Sequence, residues 1–206
     1  MRDQQKYIII AIVPQGTIVP LLLGEVFTLN SRAAVFIDGA YLTKLLELDY
    51  SGTRIDYERF SNEICCQRER LRTYYYNCMP FQSNPPTAEE STRYARMDKF
   101  INRLTRLPRF QVRLGKLGRV GEDFVQKRVD ILLAVEIVRL SWSRSVDTVI
   151  LVTGDSDFVP AVEAAKDAGV LVQLWYTRSS IHNELLDAVD EYFPITQELI
   201  NSVLLL

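Results

Sequence analysis

Two uninterrupted apolar runs constrain this chain more than anything else in it. Residues 33–37 end in Asp38-Gly39, and residues 149–152 end in Thr153-Gly154-Asp155-Ser156-Asp157. A run without polar alternation suits a strand buried on both faces, and such strands belong to parallel sheets covered by helices. Open parallel sheets bind ligands beyond the carboxyl ends of their strands, and Asp38, Asp155 and Asp157 all fall at such ends. A fourth acid, Asp130, stands near the start of an apolar helical segment that follows Lys127. Carboxylates gathered in this way repel one another unless a cation joins them.

The remaining periodicity alternates strand and helix. Strands are expected at residues 33–38, 71–78, 110–114, 146–152 and 170–175. Helices are expected at 41–48, 57–70 with Asp56 as N-cap, 88–107, 124–142 and 161–168, with Gly169 ending the last. Thr87-Ala88-Glu89-Glu90 has helix-start chemistry, Pro108 stops the helix it opens, and Gly115, Gly118 and Gly121 read as a flexible loop. The expected fold class is α/β, Rossmann-like, with a mainly parallel central sheet flanked by helices on both faces. Tyr74, Tyr75, Tyr76, Trp142 and Trp175 read as packing residues, with one or two of the tyrosines able to reach a nucleic-acid base.

A chain of 206 residues, 48% of them hydrophobic, can bury one sizeable core. We divide it into an N-terminal extension of open structure (1–31), the motif-bearing domain (32–196) and a C-terminal tail (197–206). Three cysteines without C-x-x-C spacing argue against structural zinc and a disulfide framework. A single histidine, His182, argues against Ser-His or Cys-His chemistry. Residues 7–23 are apolar behind Arg2 and Lys6, but Pro14, Gly16 and Pro20 interrupt them. The expectation is a cytoplasmic protein without stable membrane association.

The net charge of −2 hides an asymmetry: residues 93–128 hold eleven Lys and Arg against three acids, a net +8 that leaves −10 for the rest. Arg93, Arg96, Lys99, Arg103 and Arg106 recur every three or four residues, one position behind an apolar stripe of Tyr94, Met97, Ile101 and Leu104. One helix can therefore pack its apolar stripe and still offer cations to a polyanion. A solvated charged face is the alternative reading. At the acids, hard oxygen ligands suit Mg²⁺ or Mn²⁺, and a pair of such ions activates water for phosphodiester hydrolysis. Helix capping would account for one acid of the Asp155/Asp157 pair, but not for Asp38 and Asp130 as well.

Four segments in this order resemble the NYN domain, in particular its LabA-like branch within the PIN-like nucleases. They are Val35 to Gly39, Lys127-x-x-Asp130 with Ala134-Val135-Glu136, Val152 to Phe158, and Ser180 to Leu185 with Ala188 to Phe193. The resemblance implies a divalent-metal site and ribonuclease activity on RNA. It makes Asp38, Asp130, Asp155 and Asp157 the catalytic, metal-binding acids, with Thr153, Ser156 and Lys127 supporting them. Two positions depart from the family pattern. Tyr41 stands where relatives often carry Asn, and Glu136 where many carry a second Asp. Asp190 reads as structural.

The expected activity is divalent-metal-dependent hydrolysis of RNA, with single-stranded RNA as partner, guided by Arg96, Lys99, Arg103 and Arg106. No small-molecule cofactor is expected, and a homo-oligomer is compatible with the sequence. The alternative is a catalytically weak or silent domain that binds RNA or protein in a regulatory role. A haloacid-dehalogenase-like phosphatase ranks low, because Ala40 stands where its Asp-x-Asp motif needs the second acid.

Overall fold

The computed structural model describes residues 10–12, 18–20, 31–120, 123–127 and 129–205, with side chains described for 31–115 and 129–205. Residues 1–30 and 31–206 form separate compact units. In the first, β1 (Ile10–Ile12) pairs antiparallel with β2 (Ile18–Pro20).

The second unit runs β3 (Arg32–Asp38), α1 (Gly39–Asp49), α2 (Tyr57–Cys65), β4 (Glu69–Cys78), α3 (Ala88–Thr105), β5 (Phe110–Val120), β6 (Asp123–Lys127) and α4 (Val129–Trp142). It continues with β7 (Thr148–Val152), a 3₁₀ turn at Ser156–Phe158, α5 (Val159–Asp167), β8 (Leu171–Tyr176), α6 (Asn183–Ala188), β9 (Glu191–Pro194) and α7 (Gln197–Ser202). One sheet is ordered β6-β5-β4-β3-β7-β8-β9. Its six strands from β5 to β9 are parallel, and β6 is antiparallel at the edge. The apolar runs β3 and β7 sit side by side at its centre, as strands covered on both faces must.

Strand alternation divides the buried residues into two cores. Ala33, Val35 and Ile37 of β3 pack with Tyr75 against α1, α2, α3 and α7. Ala34 and Phe36 pack with Tyr74 and Tyr76 against α4, α5 and α6. The three successive tyrosines thus serve opposite faces. Phe36 stacks with Tyr74 at 5.2 Å between ring centroids, while Tyr75 meets Tyr57 and Phe100 edge-on at 5.7 Å. Residues 197–205 also join this unit: Ile200 and Val203 are buried, and the Val203 carbonyl accepts the Asp56 N–H at 2.7 Å.

Local chemistry sets several boundaries as expected. Asp56 caps α2 by accepting from the N–H groups of Glu58 and Arg59 at 2.9 and 3.0 Å. Thr87 and Glu90 form a reciprocal capping box on α3. Three boundaries and one side chain differ from expectation. Helix α2 stops at Cys65 rather than residue 70, because Cys66 takes φ +54° and Glu69 and Arg70 open β4. There the buried Arg70 guanidinium donates to Asn62, Thr73 and the Pro108 carbonyl.

The loop expected at Gly115 and Gly118 is instead strand: β5 continues to Val120 and pairs with β6 through Lys116↔Lys127 to Val120↔Asp123, while Gly121 lies outside the described residues. Helix α4 accordingly begins at Val129, not at 124. Glycine lowers strand propensity, but ladder pairing with a partner overrides a local preference of that size. Trp142 is expected to pack, yet it is 64% exposed, and Ile131 and Val135 on the same helix are exposed as well. The buried stripe of α4 is Val129, Leu133, Ile137 and Leu140, and Trp142 lies off it. Among the described residues no helix is long and apolar enough to cross a membrane.

Candidate active site at the carboxyl edge of the sheet

The four aspartates occupy the carboxyl edge by three different local devices. Asp38 ends β3 and caps α1, its Oδ1 accepting from the N–H groups of Ala40 and Tyr41 at 3.0 and 3.1 Å. Asp155 follows β7 and caps the 3₁₀ turn, accepting the Asp157 N–H at 3.0 Å. Asp130 stands in the first turn of α4, where a negative charge also suits the helix dipole. Thr153 is buried beneath the turn, with its hydroxyl 3.3 Å from the Asp155 N–H that it accepts. Ser156 is half-buried and Asp157 exposed.

Two glycines let these elements meet. A Cβ on Gly39 would lie 2.4 Å from the Tyr75 ring and 2.6 Å from the Asn77 amide. On Gly154 it would lie 2.2 Å from the Ser180 carbonyl and 2.6 Å from the Tyr41 ring. Tyr41, the departure from the family's asparagine, therefore has a role of its own here. Its ring covers Gly154, and its hydroxyl accepts the Thr177 N–H at 2.9 Å, tying α1 to the end of β8. Burial pushes that phenol up to about 12.

The electrostatics of the edge are one-sided. Burial raises the Asp38 carboxyl above its ordinary range; its two N–H bonds oppose this, and Asp130 and Asp155 add to it. Asp130 is raised by the packing around it and then by Asp155 and Asp157. The four acids thus feel one another, and among the described residues none of them forms an ion pair with Lys or Arg. Also among the described residues, no three His, Cys, Asp or Glu side chains stand close enough to share one ion. Among the described residues, then, the acids form an open edge of like charge rather than a closed cage. That chemistry fits Mg²⁺ or Mn²⁺, since Mg²⁺ keeps several waters and binds through one or two carboxylates together with substrate phosphate.

Other acids stand elsewhere. Glu136 points to the α4–β5 side, where it pairs with Arg139 and, at 4.0 Å, with Arg113. Asp190 lies at the opposite edge: it accepts the Val172 N–H at 2.8 Å and faces Lys166 at 3.5 Å. Lys127 is on β6, and its side chain lies outside the described residues.

Arg96, Lys99 and Arg103 on α3 and Arg106 at its C-cap are all exposed, and the buried side of α3 is Ile101 and Leu104. Sequence patterning did not reveal a groove of about 1250 Å³ between α1, α3 and the segment after β4. It starts at Ala40 and Cys78, beside the acids, and reaches Arg93 and Arg96. A sequence signal that could have pointed to it is Met79-Pro80-Phe81, which is apolar although it follows a strand end.

Comparison with known proteins follows the same outline. The family profile described as "NYN domain" matches residues 32–196. A crystal structure of a protein of unknown function from Vibrio parahaemolyticus has a TM-score of 0.63 at 19% identity, over 85% of this chain and 97% of its own; it supports the fold alone. A candidate oxidoreductase from Parabacteroides merdae reaches a TM-score of only 0.31 at 11% identity, over 82% of this chain and 32% of its own, and carries no weight. No protein of curated function matches the sequence.

Proposed function

The chain belongs to the NYN-domain family, which lies within the PIN-like nucleases, and from that premise we propose that it is a divalent-metal-dependent ribonuclease acting on single-stranded RNA. The observation that carries this reading is the gathering of Asp38, Asp130, Asp155 and Asp157 at one sheet edge, where among the described residues none of them forms an ion pair with Lys or Arg. NYN nucleases generally act on RNA, so the substrate class follows the family, and the LabA-like branch and cytoplasmic location follow the sequence grounds given above.

When bound by these acids, Mg²⁺ or Mn²⁺ supplies charge neutralisation and Lewis-acid activation for phosphodiester hydrolysis. The chain's own contribution is positional. The Ala40 and Tyr41 N–H groups fix the Asp38 carboxylate, and the Asp157 N–H fixes Asp155. Those described bonds all fall on Oδ1 of the two acids. Thr153 holds the Asp155 backbone, and Ser156 supports the turn between the two acids. Lys127 supports the site as a phosphate contact.

The test is cleavage of single-stranded RNA by pure protein with Mn²⁺ or Mg²⁺, beside EDTA and Asp155→Asn controls. Metal-dependent cutting that the variant loses supports the nuclease. Intact RNA at high protein concentration favours the alternative, a non-cleaving module that binds RNA or protein.

A further inference from the structure

The groove beside the acids has a composition that the metal site does not need. Its floor and walls include Tyr57, Met79, Phe81, Met97 and Phe100, all half-buried, so each keeps part of its surface open to an occupant. Its rim carries Lys44, Arg93 and Arg96, with Glu47 and Glu89 also facing in. Among the described residues, none of the three cations lies within ion-pair distance of an acid. Arg93 instead reaches the Phe81 carbonyl at 3.4 Å, placing a guanidinium beside an aromatic ring's own backbone.

Position completes the picture. Ala40 follows Asp38 by two residues, and Cys78 ends the strand beside β3. Anything lying in the groove therefore has one end at the acid edge. The volume exceeds the roughly 300–1,000 Å³ of sites that bury a drug-sized ligand, leaving room for more than one nucleotide. Aromatic and thioether walls with cations at the rim suit bases that are unstacked and phosphates that follow them, which a duplex does not offer.

We propose that this α1–α3 groove is a subsite for the unpaired nucleotides adjoining the scissile bond of single-stranded RNA, with bases on Phe81 and Phe100 and phosphates at Arg93 and Arg96. It rests on the ribonuclease reading and sharpens it. Among the α3 cations, Arg96 lies on the path with Arg93. Arg103 lines a separate small cavity with Arg54 and Leu205, and Lys99 and Arg106 line neither.

The experiment is anisotropy binding of fluorescein-labelled decauridine in EDTA, where cutting is suppressed, across a salt series. Phe81→Ala weakens binding about tenfold at every salt concentration. Arg93→Ala/Arg96→Ala lowers the slope of log K against log salt by about 0.7 for each arginine removed. Arg144→Ala, an exposed cation at the amino ends of the strands, leaves both unchanged. Photocrosslinking of wild-type protein to oligouridine carrying 5-iodouridine labels the Met79–Phe81 peptide, a readout that does not depend on a variant folding.

Crosslinks confined to the outer face of α3, or loss of binding only in Lys99→Ala/Arg106→Ala, would overturn the groove. So would decaglutamate competing as well as RNA. Metal-dependent cutting with unchanged binding and KM in Phe81→Ala and Arg93→Ala/Arg96→Ala sinks the subsite and leaves the nuclease standing. Groove-dependent binding without cutting by any divalent metal keeps the subsite and sinks the nuclease.

Discussion

Both ends of the parallel sheet carry aspartates, and the fold treats them in opposite ways. At the amino ends, Asp147 accepts the Arg32 N–H at 2.8 Å, while Asp190 accepts the Val172 N–H at 2.8 Å and faces Lys166 at 3.5 Å. Those acids fasten neighbouring strands. At the carboxyl ends, among the described residues, Asp38, Asp130, Asp155 and Asp157 accept only local N–H groups, or none, and where a shift is seen burial raises the carboxyl first and its acidic neighbours add to it. A paired carboxylate is a fastening, whereas carboxylates that face one another favour a cation between them. The residue type is the same at both ends, and the neighbours decide its role.

The sharpest way to break this contrast is by activity. Asp155→Asn is expected to reduce metal-dependent RNA cleavage by more than the roughly 10–100-fold that outer-shell partners of a metal contribute. Asp147→Asn, which keeps an acceptor for the Arg32 N–H, should leave the rate unchanged. Equal losses in the two variants would erase the distinction between the edges.

Next in size is the response to metal. Mn²⁺ or Mg²⁺ at about 100 times its Kd should stabilise the folded protein by about 2.7 kcal/mol, read as a rise in Tm. Asp38→Asn keeps the α1 cap but removes one charge, so the metal-induced rise should shrink. A rise of the same size in Asp38→Asn would remove Asp38 from the ion's surroundings.

Stability without metal should then move in opposite directions at the two edges. A carboxyl whose pKa is raised on folding binds its proton more tightly folded than unfolded, so its contribution to stability falls as pH rises through that interval and opposes folding at neutral pH. Asp130→Asn is therefore expected to raise Tm at neutral pH. Asp190→Ala should lower it by about 1–2 kcal/mol, through the lost N–H acceptor and a partly exposed ion pair. Matching signs in urea or thermal melts would contradict the comparison.

The smallest effect is at alkaline pH. Burial pushes Tyr41, Tyr75 and Cys65 up to about 12 from ordinary values of 10.0, 10.0 and 9.0. The unfolded chain loses these protons first, so stability should fall as pH rises from about 9 towards 12. Tyr41→Phe should cost about 0.5–1.5 kcal/mol at neutral pH through the Thr177 bond, and flatten that decline. An unchanged alkaline slope in this variant would mean that Tyr41 is not held neutral by the fold.

Much of the central sheet was legible from the chain because its signals are local and strong. The apolar runs of β3 and β7, the Asp56 cap and the Thr87/Glu90 capping box each announce themselves within a few residues. The β5–β6 hairpin did not, because residues 115–120 contain two glycines and become strand only through pairing with 123–127. The four acids could be placed at strand ends and a helix start from spacing. The groove could not, since Ala40, Phe81 and Arg96 come from three separate segments that only the fold brings together.

The sequence by itself determined an α/β fold with two central strands and the chemical kind of the candidate site, because hydrophobic burial and strand-end turns act over short stretches of chain. Tertiary structure alone decided which acids are paired and which are left exposed to one another's charge. It also decided that Tyr41 clamps β8, and that only part of the basic helix faces a cavity beside the acids. Pairing, desolvation and cavity shape depend on groups far apart in sequence, and no local pattern encodes them.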